Sequence, residues 1–327
     1  MTLTPLLAAR LAAEAGFDRV AFERLDRLQL LAATLAEASV TADLLAVKGG
    51  TALRAFHGAF PRLSLDIDTN YVGASSDDEA RGATKRAVEG AARACGLLRS
   101  GAWDDTPALS ALSLWFKDSC GSRQYLSVEI SWTQRVPLWD PSLVRLPVLP
   151  SREPGRILAL TIEETIAGKL CALIGRARRP AHLRDLFDAA QIRRLQFDRQ
   201  RARLAFAVTA ACQRFDVRET RLPITPPPPE EFDQHLRPLL RGSVVTGDPR
   251  AFCDALARDA TELLAEFVPL PGRALAFVAA VNDHGVLDPG LLTDDPGLVD
   301  RIARHPHLVY KAEQVRRFGT PPDLDPT

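Results

Sequence analysis

The chain has 327 residues, enough for about two domains, and 46% of them are hydrophobic. Its 41 basic and 41 acidic residues cancel, a balance that describes a soluble globular protein. No run approaches the roughly 18 apolar residues of a membrane-spanning helix, and no basic region precedes an apolar core at the N-terminus, so neither a membrane protein nor a secretory signal is expected.

Residues 5 to 40 are rich in Ala and Leu at helical spacing and predict two helices. Residues 41 to 72 predict a strand, a glycine turn, a short helix and a second strand. A helix is expected from Asp77 to Leu98, ending near Gly101. Leu112 to Phe116 and Tyr125 to Trp132 read as strands joined by the hairpin turn Lys117 to Ser122. Pro141 to Pro154 reads as connector with a short extended piece, Leu143 to Leu149, and from Thr161 onward the patterns are helical. The run Thr225-Pro226-Pro227-Pro228-Pro229 is the clearest linker, because polyproline is stiff and cannot continue an α-helix. Three parts are therefore expected: a core with N-terminal helices over 1–150, a helical region over 151–224, and a helical C-terminal region over 225–327. The five cysteines are widely spaced, contain no Cys-x-x-Cys zinc pair and suit a reducing cytosol. The six histidines form no metal cluster, and His305-Pro306-His307 reads as a surface turn.

The chemistry concentrates in one stretch. Leu44 to Val47 is apolar and is followed by Lys48-Gly49-Gly50-Thr51. Two residues without a Cβ let the backbone turn sharply and approach a ligand. A helix opening at Thr51 and running through His57 would aim its free N–H groups back at that turn, where phosphate oxygens fit. Arg62 to Asp68 reads as a strand with Leu63, Leu65 and Ile67 on the core face and Ser64, Asp66 and Asp68 on the other. Two carboxylates on one strand face repel each other, and a hard divalent cation such as Mg²⁺ relieves that repulsion while also taking substrate phosphate oxygens. A phosphate turn beside paired carboxylates is what a two-metal nucleotidyl transfer requires. Ser64 either caps local backbone or, if phosphorylated, would place negative charge beside those carboxylates and block metal or nucleotide.

Gly-Gly-Thr-Ala-Leu followed by Arg-x-Ser-x-Asp-x-Asp resembles the AbiEii/MenT nucleotidyltransferase toxins of the DNA polymerase β-like superfamily. The resemblance implies an α/β (α+β) fold, a mixed sheet flanked by helices, followed by a largely helical C-terminal region. It implies a third carboxylate on a later strand, for which Glu129 in Tyr125 to Trp132 is the candidate. Glu163 to Leu173 and then Arg184-Asp185-Leu186-Phe187-Asp188 resemble the family's helical Lys block and its Arg-Asp-x-x-Asp block. Carried over residue by residue, Lys169 contacts nucleotide phosphates and Asp185 is functionally important. The likeness covers roughly residues 40 to 195. It implies an NTP bound by Lys48, Gly49, Gly50, Thr51, Arg62, Ser64 and Lys169. Mg²⁺ or Mn²⁺ would be held by Asp66, Asp68 and Glu129, and the acceptor would be the 3′ end of tRNA. A winged-helix antitoxin of the AbiEi/MenA type encoded next door, cytoplasmic growth inhibition and phage defence belong to the same expectation.

Between Ile174 and Leu204 nine arginines face three acids. Arginine suits phosphate contact through its planar fork, so Arg176, Arg178, Arg179 and Arg184 are candidates for holding an RNA backbone. Two other readings fit the same residues: NMP transfer to a protein or small molecule, and a non-catalytic nucleotide-binding partner protein.

Overall fold

The computed structural model describes residues 3–57, 61–175, 182–245 and 247–319. These form two compact units: Met1–Arg135 with Asp140–Thr161 and Arg237–Thr246, and Val136–Trp139 with Ile162–Leu236 and Gly247–Thr327.

The first unit is built on a mixed sheet. Its helices are α1 (Pro5–Ala15), α2 (Arg19–Glu37), α3 (Gly49–His57) and α4 (Asp78–Ala94). Its strands are β1 (Leu45–Val47), β2 (Asp66–Tyr71), β3 (Leu98–Arg99), β4 (Asp104–Asp105), β5 (Leu109–Lys117), β6 (Arg123–Ser131), β7 (Ser142–Arg145) and β8 (Arg156–Ala159). The sheet order is β3-β5-β6-β2-β1-β8-β7, with β4 also pairing β5. β2 runs parallel to β6 and β1 parallel to β8; the other pairs are antiparallel. The long hairpin strands alternate cleanly. Leu112, Leu114 and Phe116 join Leu126, Val128, Ile130 and Ile67 in one core with Leu28, Leu31 and Leu35 of α2 and Val88 and Ala92 of α4. That face is covered by helices, so the odd-numbered residues of β5 and β6 lie on the opposite face.

The expected elements are present, with shifted bounds. The helix foreseen over Asp77 to Leu98 stops at Ala94, because Gly96 turns left-handed at φ +71° and Leu98 enters β3. Asp77 is not in that helix but caps it, accepting from the Ala80 N–H at 2.9 Å. The strand read over Arg62 to Asp68 begins at Asp66 and continues through the buried Thr69 and Asn70 to Tyr71. Residues before Asp66 pair elsewhere: the Leu63 N–H donates to Leu239 O at 2.9 Å and Arg62 bridges Leu240. Leu63 and Leu65 are buried as expected, but in a separate cluster with Leu11, Phe17, Phe22 and Leu25.

The second unit is helical: α5 (Ile162–Gly175), α6 (His182–Ile192), α7 (Arg199–Ala211), α8 (Pro229–His235), α9 (Pro249–Leu264), α10 (Gly272–His284), α11 (Pro296–Ala303) and α12 (Pro306–Phe318). The proline run lies inside this unit, and its last member, Pro229, opens α8. Part of the arginine-rich stretch is paired with acids from outside its own window. Arg193 and Arg194 pair with Asp259, Arg193 also with Glu262, and Arg199 with Glu266. Arg203 donates to the Glu266 carbonyl at 2.9 Å, and the Arg201 guanidinium lies 4.2 Å from the Trp139 ring centre. Among the described residues, no helix is long and apolar enough to cross a membrane.

His305 is not a surface turn residue. It is 7% exposed and caps α12, its Nδ1 accepting from the Leu308 N–H at 3.4 Å. Burial, with His307 nearby, pushes its pKa down to about 4. The folded protein therefore keeps this imidazole neutral, while an unfolded chain binds the proton near pH 6.5. The stability it contributes is full above about pH 6.5 and falls, by on the order of 3 kcal/mol, as pH drops toward 4. His305→Asn keeps a capping acceptor and removes the titration. Denaturant unfolding of both proteins from pH 7 to pH 4 should show a steeper loss for the parent, and parallel curves would refute this origin.

Candidate active site

The Gly-Gly turn is shaped by what it packs against. β1 ends at Val47, and α3 begins at Gly49 in the left-handed region at φ +64°. A Cβ on Gly49 would stand 2.6 Å from Asp68 Oδ2, and one on Gly50 would stand 2.8 Å from Ser64 Oγ and 3.0 Å from Arg62 Nη2. A Cβ at either position would force these neighbouring side chains to shift, so the glycines permit direct seating of the helix start on β2. Polar bonds fix the seat: the Lys48 N–H donates to Asp68 O at 2.8 Å, and Thr51 Oγ1 donates to Asp66 O at 2.7 Å. The helix opens two residues earlier than Thr51, which brings the Gly49 and Gly50 amides into its first turn. The first N–H groups of a helix have no intrahelical acceptor, so with the positive end of the dipole they suit an anion there.

The parallel pairing of β2 and β6 sets Asp68 opposite Glu129 and Asp66 opposite Ser127. Asp66, Asp68 and Glu129 therefore share one sheet face. Ser127 Oγ donates to Asp66 Oδ1 at 2.9 Å, and Thr69 Oγ1 donates to Glu129 O at 2.8 Å. Two basic side chains answer this negative group. Burial pushes the Lys48 pKa down, while Asp68 and Glu129 pull it back up; its Nζ donates to Gln134 Oε1 at 3.2 Å. Burial also lowers the Arg24 pKa against the pull of Asp66, and Arg24 Nε donates to Tyr125 O at 3.1 Å. Among the described residues, no three His, Cys, Asp or Glu side chains converge closely enough to hold a metal ion by themselves. The donor set is nevertheless oxygen-only, lies on one face and comes from two adjacent strands, which fits Mg²⁺ or Mn²⁺ with part of its shell left to substrate. Ser64 is 6% exposed and faces Gly50, so a modifying enzyme cannot reach its hydroxyl in this conformation.

A cationic cluster behind the turn was not foreseen. Arg54 on α3 and Arg62 are 4% and 3% exposed. Burial, and then repulsion from Arg241 and Arg62, lowers the Arg54 pKa to about 9. Arg241 reaches the cluster because its N–H donates to Pro61 O at 3.0 Å. Arg54 Nη1 and Arg241 Nε are buried without a hydrogen-bond partner. Buried like charges with orphaned donors are costly, and an anion offsets that cost. No local motif announces this: Arg54 is an ordinary helix position in sequence, and Arg241 lies far along the chain.

Lys169 and Asp185 belong to the second unit. Lys169 Nζ on α5 lies 3.1 Å from Asp185 Oδ1 and 2.8 Å from Asp188 Oδ2 on α6. The structure therefore joins the two blocks read from sequence and adds the fully buried Asp188 to them. Arg184 is half-buried on α6. Arg176, Arg178 and Arg179 lie outside the described residues.

Among solved structures, the chain is similar to MenT4, a nucleotidyltransferase toxin from Mycobacterium tuberculosis H37Rv. That match has 18% identity and a TM-score of 0.62 over 92% of this chain and 98% of that one. A looser match, JHP933 from Helicobacter pylori, has 18% identity over 77% of this chain and 94% of that one, with a TM-score of 0.44. No curated protein matches the sequence. The profile of the family described as nucleotidyl transferase AbiEii toxin, type IV toxin–antitoxin system, matches residues 29–262. That span holds the glycine turn, the carboxylate strands and the Lys169–Asp185 pair, and the chain belongs to the AbiEii nucleotidyltransferase toxin family.

Proposed function

We propose that the protein moves an NMP from an NTP to the 3′ end of tRNA, blocking aminoacylation and growth, under the control of a winged-helix antitoxin. The observation that carries the reading is the seating of Gly49 on Asp68, with Asp68 in register with Glu129. A phosphate-binding turn and a carboxylate face then converge without an intervening side chain. The triphosphate lies against the amides of Gly49, Gly50 and Thr51. Arg62 and Ser64 flank it, and Arg54 and Arg241 supply positive charge from behind. Asp66, Asp68 and Glu129 would hold Mg²⁺, which when bound neutralises charge on the α-phosphate and the leaving pyrophosphate. Glu129 also accepts the proton of the attacking hydroxyl, and Ser127 holds Asp66 in orientation. Lys169, the family's expected phosphate contact, is held by Asp185 and Asp188 within the second unit.

Incubation with Mg²⁺, each α-labelled NTP in turn and total bacterial tRNA should label tRNA, and Asp68→Ala should lose about 10²-fold or more of the rate. Label in a polypeptide, or none with nucleotide still bound, would sink the tRNA reading.

Gly49→Ala tests the turn itself. Its Cβ must displace Asp68 and adopt positive φ, so kcat/KM should fall at least about tenfold while stability falls by only about 1 kcal/mol. Unchanged kcat/KM would remove the turn from the site.

Arg54→Leu should move two properties in opposite directions. Relief of buried repulsion raises the Tm of ligand-free protein, while the nucleotide-induced Tm shift shrinks. A fall in ligand-free Tm with nucleotide binding intact would assign Arg54 to structure alone.

A further inference from the structure

The carboxylate face of the sheet does not end at Glu129. Antiparallel pairing of β5 with β6 continues it in rows: Glu129 opposite Ala111, Ser127 opposite Ser113, Tyr125 opposite Trp115, and Arg123 opposite Lys117. β3 adds Leu98 beside Trp115, and β4 adds Asp104 beside Ala111. Directly paired residues project to one side, so one face grades from acidic, through small hydroxyls, to aromatic and then basic. The far rows are open. Tyr125 is 48% and Leu98 50% exposed, and Arg123 and Lys117 are exposed as well. The Arg123 guanidinium stacks 4.5 Å from the Trp115 ring centre. Arg24 links the two ends, bonded to the Tyr125 carbonyl while within the field of Asp66.

We infer that this face, Tyr125 with Trp115, Arg123 and Lys117, seats the single-stranded end of an RNA acceptor and leads its terminal hydroxyl to the carboxylates. The inference rests on the RNA-acceptor reading above. Each row is about 6.7 Å from the next, so Tyr125 lies about 13 Å along the strand from Glu129. A base stacked on Tyr125 is thus a few nucleotides back from the reacting end. An exposed ring serves any base, because every base has a π-face. An arginine already held over the Trp115 ring offers N–H groups to a phosphate oxygen at little further entropic cost. The charges favour this occupant: the aromatic and basic rows contain no acid, whereas the carboxylate row repels a phosphate backbone and admits only the hydroxyl end. Among the described residues of the arginine window between Ile174 and Leu204, five arginines are held by Asp259, Glu262, Glu266 and Trp139.

The test is binding of a short fluorescein-labelled single-stranded RNA with a free 3′ hydroxyl, read by anisotropy without NTP, beside transfer kinetics. Tyr125→Ala should raise the Kd, and the KM for RNA, about 5- to 100-fold, with the KM for NTP unchanged. Tyr125→Phe should stay within about twofold of the parent, since it keeps the ring. Arg123→Glu should weaken binding and lower the salt dependence by about one phosphate contact. RNA labelling and binding that survive Tyr125→Ala and Arg123→Glu would overturn the platform while leaving the transfer reading intact. Absence of RNA binding by the parent protein, with label entering a polypeptide, would overturn both. Variants that bind RNA normally but no longer capture a protein partner would assign the face to that partner and overturn the inference.

Discussion

The parallel pairing of β2 with β6 is the constraint on which the first unit depends. A single ladder sets Asp66 against Ser127 and Asp68 against Glu129, and a shift of β2 by one residue would turn Asp66 and Asp68 into the apolar core. The core prevents that slip. Ile67 and Val128 are nearly or fully buried against α2 and α4, so the register that hides them also presents the acids. β1 then pairs antiparallel with β2 and delivers Gly49 onto Asp68. The position of the proposed phosphate turn is thus a consequence of strand register and of two missing Cβ atoms.

Charge is arranged around the start of α3 in two opposed groups. On the sheet side stand Asp66, Asp68 and Glu129, answered by Lys48 and Arg24. Behind the turn stand Arg54, Arg62 and Arg241; burial, and then their mutual repulsion, holds the Arg54 pKa down. Each group is expensive in a protein interior. On the proposed function, a metal–nucleotide complex would carry both complements, cation toward the acids and phosphate toward the guanidiniums, and stability given up in the ligand-free chain would return as binding free energy. The second unit shows the alternative solution, in which Lys169 is balanced internally by Asp185 and Asp188.

How much of this could be read from the sequence follows from the range of each interaction. The glycine turn, the carboxylate pair and the hairpin are local, and local spacing reports them. Glu129 was reachable because its strand alternates, although its place opposite Asp68 depends on pairing that no spacing encodes. Bounds failed where tertiary contacts intervene. Arg62 and Leu63 leave β2 because Leu239 and Leu240 pair with them, a partner some 180 residues away in sequence. His305 looked like a surface residue because its neighbour is proline, yet proline at the first helical position is what makes His305 the cap. The arginine window looked basic because its compensating acids lie on and just after α9.

The same reasoning separates the two places where RNA contact is conceivable on composition alone. Local charge density favoured the arginines after Ile174, and the structure spends five of them on intramolecular partners. The aromatic and basic rows at the end of β5 and β6 are unremarkable in sequence, since Trp115, Lys117, Arg123 and Tyr125 straddle a turn. Only antiparallel register puts them side by side, and only the parallel pairing of β6 with β2 places that group on the carboxylate face. A substrate that must offer one hydroxyl to acids while keeping its phosphates away needs such a gradient. The sheet supplies it along two strands, with no loop required to hold the order.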